Sequence, residues 1–205
     1  MKVYPLAIIS ILTISSTLSA ATYTTTSGSI QNILKTSGET HPYSGENLSP
    51  FADLPFADLY RADPTGAALY RADLTGANLA RSDLTGSDLY RAELTGANLY
   101  RANLIGANLY RANLTLAILY GANFYGTDLI GADFYSAWLN SANFSHADLS
   151  NVSNVHTAAW INSNLFGATL PDGYDQAWFE SEGAVFVVPE PSSYALLLGG
   201  LALGL

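Results

Sequence analysis

The stretch LYRADLTGAN, residues 69–78, decides the fold. Leu69 and Leu74 are five apart, and Ala67 and Ala72 each stand two residues before a leucine. A helix turns about 100° per residue, so leucines at this spacing wander around it and form no apolar stripe. A strand alternates faces with period two, so an odd repeat would flip sides at every step. Period five works when each unit is a short extended piece followed by a corner. In ADLTG, residues 72–76, Ala72 and Leu74 point inward and Asp73 between them points outward. Thr75 and Gly76 then turn the chain, and glycine tolerates the backbone angles of such a corner. Each unit is one side of a climbing coil, with Leu or Phe on the axis and Ala packed behind it.

Working outward, the pattern holds for twenty units from Ala52 to Asn151. One extra residue, read as Val152, then enters, and four more units centre on Val155, Trp160, Leu165 and Leu170. The axial residue changes from Leu to Phe at Phe124, Phe134 and Phe144. Pro64 occupies an axial place near the start, where a residue lacking a ladder donor can blunt an open edge. One unit alone cannot bury its apolar face, whereas a stack can, and each buried Leu or Phe contributes about 1.5–3 kcal/mol. The corners alternate between YR and TG, which fits an even number of sides. Like corners then stack: Arg61, Arg81 and Arg101 on one face, Arg71, Arg91 and Arg111 on the opposite one. Tyr60, Tyr100 and Tyr120 align with the first set, and Tyr70, Tyr90 and Tyr110 with the second. Thr75, Thr95 and Thr115 fill a third face, and Thr65 and Thr85 the fourth.

Units such as ADLTG, ANLYR and ADFYS closely resemble the pentapeptide-repeat family, whose pattern is A(D/N)LXX, over about 120 residues. The resemblance implies an all-β fold, a right-handed four-sided parallel β-solenoid with one coil per twenty residues. About six coils and a height of roughly 29 Å follow from the strand spacing. The sequence itself, with no motif for catalysis or cofactor binding, reads as a non-enzymatic protein without cofactors. Some members of the family act on bacterial gyrase by presenting an acidic surface that mimics DNA; here the Arg columns interrupt the acidity.

The chain has 205 residues and a formal net charge of −9, with Lys and Arg totalling 8 against 17 acids. That balance argues against a nucleic-acid partner. Residues 52–111 hold six Arg and seven acids, while residues 112–205 hold no Lys or Arg and eight acids. Cysteine is absent, which excludes disulfides and thiolate metal sites.

Both ends read as addresses. Residues 1–21 place one Lys before an apolar run from Leu6 to Leu12, then small residues with cleavage near Ala20 or Ala21, the layout of a secretory signal peptide. Residues 189–205 begin with the triplet Pro189, Glu190, Pro191 and continue into the apolar run Tyr194–Leu205. This resembles the PEP-CTERM sorting signal, in which an exosortase recognises the triplet and routes the protein to the cell surface or matrix, with transient inner-membrane attachment. The Arg-rich end of that signal is not seen, and the twelve-residue run is shorter than the ~20 residues that span a bilayer. Residues 22–51 read as a mobile leader followed by a short N-terminal capping helix over residues 29–38, with Ser29 as N-cap and Gly38 as stop. The solenoid proper is residues 52–172. Residues 173–188 form a C-terminal cap and linker, in which Tyr174, Trp178, Phe179 and Phe186 plug the last coil.

Of the three histidines, His41, His146 and His156, the last two fall at or near corners ten residues apart with Asp148 near the first; a metal pair or a Ser/His/Asp set can be drawn from them, but a corner histidine is usually a solvated surface residue, so they read as neither. No phosphate-loop, zinc or calcium spacing is present. The sequence thus reads as an exported, surface-sorted scaffold or interaction protein. The alternative reading is a polysaccharide-binding module that uses Tyr70, Arg71, Tyr90, Arg91, Tyr110 and Arg111 as a stacking and hydrogen-bonding face.

Overall fold

A five-residue side offers five backbone N–H groups, and the fold is the arrangement that satisfies them all. In the computed structural model, which describes residues 50–187 together with short strands at 22–24, 30–32 and 34–35, residues 87–91 show the scheme. The Ser87 N–H donates back across the corner to the Leu84 carbonyl at 3.0 Å. The Asp88 N–H reaches down one coil to the Ala67 carbonyl at 2.9 Å. The Leu89 and Arg91 N–H groups reach up one coil, to the Asn108 carbonyl at 2.7 Å and the Tyr110 carbonyl at 2.9 Å. The fifth, from Tyr90, donates to the Asp88 side chain at 3.1 Å. The outward Asp or Asn of most units is therefore a structural acceptor for the first corner residue, the role such short side chains play in local turns; the buried Asn103 Oδ1 is an exception.

Parallel bridges join residues twenty apart, so that Asp53, Asp73, Glu93, Asn113, Asp133 and Ser153 stand one above another. Twenty residues in units of five make four sides. Each side holds a single bridge residue instead of a regular strand, because a corner every five residues leaves room for few ladder bonds. The Ala and Leu columns line a dry axis: Leu89, Leu104 and Leu109 are fully buried, as are Ala72, Ala92 and Ala112. Toward the C-terminal end the axis becomes aromatic. Phe124 and Phe144 stack with centroids 4.7 Å apart, and Phe134 meets Trp160 edge-on at 5.9 Å. The helix α1, Gln176–Ser181, closes this end. Asp175 caps it by accepting the Trp178 N–H at 2.8 Å, and Phe179 is buried edge-on against Trp160 at 5.0 Å.

The N-terminal end corrects the expectation of a capping helix over residues 29–38. Thr22–Thr24 (β1) pairs antiparallel with Ile30–Asn32 (β2), and Leu34–Lys35 (β3) pairs antiparallel with Ala57–Asp58 (β4) on the first coil. The lower rim of a solenoid exposes a row of backbone donors and acceptors. A strand answers that row bond for bond, which a helix cannot do.

Two local expectations also change. Pro64 is buried on the axis, but it does not blunt the open edge. Axial N–H groups point up, as Leu59 to Asn78 at 2.8 Å and Leu69 to Asp88 at 2.7 Å show. The donor that Pro64 lacks would have faced the second coil, away from the rim. The extra residue is not Val152, which takes the ordinary inward place of an alanine and is buried. Ser153 still bridges Asp133 at a spacing of twenty, while Ala159 bridges Trp138 at twenty-one. The unit 152–157 therefore has six residues and absorbs the surplus through Asn154, at φ 60°, and a 3-10 turn over Val155–Thr157. The Thr157 hydroxyl then accepts the Ser136 N–H at 2.9 Å, a bond that a backbone carbonyl supplies elsewhere.

Candidate functional site

With the interior filled by apolar columns, any site lies on the outer faces, and the corners shape those faces. From Phe56 to Asn151 the second corner residue of each unit has positive φ whether it is glycine or not. All six solenoid arginines adopt it, from 52° at Arg101 to 59° at Arg81. In this region an L side chain is strained by about 1–2 kcal/mol. The guanidinium groups fold back over neighbouring rings: Arg91 over Tyr90 and Arg111 over Tyr110, both at 5.3 Å, and Arg61 and Arg101 over Tyr60 and Tyr100 at 5.4 Å. Tyr90 and Tyr110 stack on each other with centroids 5.6 Å apart and planes 10° apart. Tyr100 and Tyr120 do the same at 5.8 Å.

The residues read as a ligand face thus come together only in part. Tyr90, Arg91, Tyr110 and Arg111 form one continuous stack. Tyr70 turns its ring edge-on to Phe51 at 5.1 Å, and Arg71 lies over Phe51 at 5.6 Å. In the stack, ring faces are occupied by other rings and by guanidinium groups. A sugar ring needs an open aromatic face, which this arrangement does not offer.

The other columns are likewise engaged in architecture. The Thr65 and Thr85 hydroxyls donate to Asp63 and Asp83 at 2.5 and 2.6 Å. Side-chain amides climb from coil to coil, as Asn108 does to Asp88 at 3.0 Å and Asn143 to Asn123 at 2.9 Å. His146 lies edge-on to Tyr125 and Phe166, at 5.3 and 5.6 Å. His156 stands two sides away on the 3-10 turn, at the opposite corner. Asp148 is occupied by the backbone and hydroxyl of Ser150, at 2.9 and 2.6 Å. Among the described residues no group of three His, Cys, Asp or Glu side chains is placed to hold a metal ion. His41, the signal-like residues 1–21 and the triplet Pro189, Glu190, Pro191 lie outside the described residues. No helix among the described residues is long and apolar enough to cross a membrane.

One surface feature was missed in the sequence reading. At the outward place where most units carry Asp or Asn, Ile118 and Trp138 stand one above the other. Exposed Tyr120 and Ile161 belong to the same side, and exposed Leu116 and Tyr135 to the corner that joins it to the side of Asn113 and Asp133. The signal was legible as two breaks in the A(D/N)LXX pattern on the same column.

Four five-residue sides stacked about a dry Ala/Leu axis define a quadrilateral β-solenoid. The family model for pentapeptide repeats matches in overlapping segments from residue 51 to residue 153, half of the chain. The chain belongs to the pentapeptide-repeat family, whose members fold as right-handed quadrilateral β-helices and are generally structural or interaction proteins. Similar solved structures include a pentapeptide repeat protein of the cyanobacterium Cyanothece 51142, at 36% identity and TM-score 0.43, covering 44% of this chain. This chain spans 61% of the length of that protein. A pentapeptide repeat protein of the Arabidopsis thaliana thylakoid lumen is 29% identical at TM-score 0.47, covering 60% of this chain and 89% of its own. QnrB1, a plasmid-mediated fluoroquinolone resistance protein, is 20% identical at TM-score 0.38, covering 76% of this chain and 86% of its own. No curated protein matches the sequence.

Proposed function

We propose that this chain is an exported, non-enzymatic scaffold, sorted to the cell surface or extracellular matrix, whose flat faces meet other macromolecules. The observation that carries the scaffold reading is the accounting of polar groups. Backbone donors and outward Asp and Asn side chains hold coil to coil, as at Asp88, which accepts from both Tyr90 and Asn108. What remains for a partner is the shape and the corner side chains of a rigid rod. Export is supported by the signal-like residues 1–21, and sorting by the Pro189, Glu190, Pro191 triplet ahead of an apolar run, which an exosortase-type enzyme would recognise.

The test is expression of the full chain in a Gram-negative host that has an exosortase, with N-terminal sequencing and cell fractionation. The expected product starts just after Ala20 or Ala21 and is found outside the cytoplasm. Replacing Pro189 and Pro191 by Ala should strand it at the inner membrane. An unprocessed chain in the cytoplasm would overturn export, and surface delivery unaffected by the double replacement would overturn sorting.

A further inference from the structure

The side of the solenoid that carries Ile118 and Trp138 differs from the other three in placing large apolar residues in its outward column, where the neighbouring uncharged side has Asn123, Asn143 and Asn164. Over its upper coils, residues 117–121, 137–141 and 158–162 include no Asp, Glu, Lys or Arg. The opposite side carries Asp88, Asp128 and Asp148 in one column. The apolar residues here are not leftovers of the core. Trp138 is 61% exposed, Ile161 55%, Leu116 54% and Tyr135 48%. Two of the six, Ile118 and Trp138, replace the Asp or Asn whose oxygen takes the corner N–H in other units, as Asn98 does for Tyr100 at 3.0 Å just below. Neither isoleucine nor tryptophan can accept that bond, so the scaffold forgoes a stabilising contact at two successive coils. Trp138 and Tyr135 have no ring partner among the described residues, unlike the stacked tyrosines of the corner columns.

We propose that this uncharged side is a self-association surface, on which two copies of the chain meet face to face. At roughly 150–250 Å² per aromatic side chain, the three rings and three aliphatic residues expose on the order of 500–600 Å². That is the upper end of what a monomer leaves in one patch and approaches the ~800 Å² per partner of a standard interface. An interface core is depleted of charge and enriched in aromatic residues, with Trp and Tyr dominating its energetics. A nucleic acid or anionic membrane surface would require a cluster of basic residues, whereas the patch is bordered by a single arginine, Arg101, whose side chain lies beneath Gly121. A second copy is a neutral, flat, apolar partner by construction. A two-fold axis lying in the plane of the contact and passing near Trp138 brings the patch against its copy and makes each contact twice. The net charge of −9 disfavours approach through the acidic sides, and α1 covers the C-terminal end, which leaves the two sides that are uncharged over the upper coils, and of these only this one carries outward Ile118 and Trp138. This inference does not rest on export or sorting.

Sedimentation equilibrium of the full chain between about 1 and 100 μM, a range that brackets micromolar dissociation constants, tests it. The wild type is expected to dimerise. Trp138→Glu and Leu116→Glu, both at exposed positions, should weaken the dimer at least tenfold while melting at the wild-type temperature. Ile130→Glu, on the opposite side, should leave it unchanged. A wild type that stays monomeric over the whole range would overturn the proposal and assign the patch to a different partner. A dimer indifferent to both on-face charges would overturn it too, by placing the contact elsewhere. Should Trp138→Glu melt early, Leu116→Glu with an unaltered melt gives the reading.

Discussion

At the scale of the residue, the five places of the unit carry different constraints, and departures from them have measurable effects. Ser87 stands where the repeat puts alanine; it is fully buried and its hydroxyl has no partner among the described residues. Other buried hydroxyls at this place are satisfied, as Ser82 is by the Leu79 carbonyl at 2.7 Å. A buried unpaired hydroxyl costs about 1–3 kcal/mol, so Ser87→Ala should stabilise the protein by about 1 kcal/mol in urea melts, whereas Ser82→Ala should not. The corner arginines offer a paired comparison. Arg81 follows Ala80 and has positive φ without a ring directly before it. Replacing Arg81 by Gly relieves about 1–2 kcal/mol of backbone strain against about 0.4–1 kcal/mol of added unfolded-state freedom. A net gain of about 0.5–1 kcal/mol is expected. Arg101→Gly also loses the contact with Tyr100 at 5.4 Å, of about 0.5–1 kcal/mol at an exposed site, and should come out near zero. Equal effects at the two positions, measured in the same denaturant series, would refute the strain-against-stacking account.

At the scale of the element, the six-residue unit 152–157 holds one more residue than its side requires. Its corner is repaired by Thr157, whose hydroxyl accepts from Ser136 and donates to the Asn154 carbonyl at 2.8 Å. Thr157→Val should destabilise by about 1–2 kcal/mol, and Thr157→Ser, which keeps the oxygen, by much less; equal losses would show that the methyl matters and the bond does not. The terminal helix is held chiefly by Phe179. Phe179→Ala should cost about 3–5 kcal/mol and shift Trp160 emission to the red as water reaches the last coil. Elements were also where sequence reading was weakest. The Ala and Leu places were legible because five-residue periodicity admits one inward pair per unit. The strands β2 and β3 were not, because Ile30, Ile33 and Leu34 satisfy helical spacing equally well. What decided between them was the open rim of the first coil, a tertiary fact. The site of the insertion was hidden for a similar reason, since Val152 and Val155 both suit an inward place and only the bridging register separates them.

At the scale of the whole molecule, one axis runs through every coil, so damage at its centre is not local. Leu104 is fully buried in mid-stack. Leu104→Asp places an unpaired carboxylate there and should abolish the cooperative melt and expose Trp160 to quenchers at room temperature. A wild-type melt would mean the axis is not continuous. The candidate faces were legible as columns, because twenty-residue spacing follows from the alternating corners. How their rings are used was not, since stacking and ligand binding call for the same tyrosines and only the occupied ring faces at Tyr90 and Tyr110 tell them apart.

The twenty-residue ladder has a consequence for how such a molecule can change. Excising residues 122–126 would remove one complete side and leave every axial residue still pointing at the centre. Everything downstream, however, would rotate by a quarter turn. Trp138 would then sit above Asn113 instead of Ile118, and the neutral flank would be cut in two and wrapped around a corner. Stability in this architecture tolerates gains and losses in fives, while the identity of each flank survives only multiples of twenty.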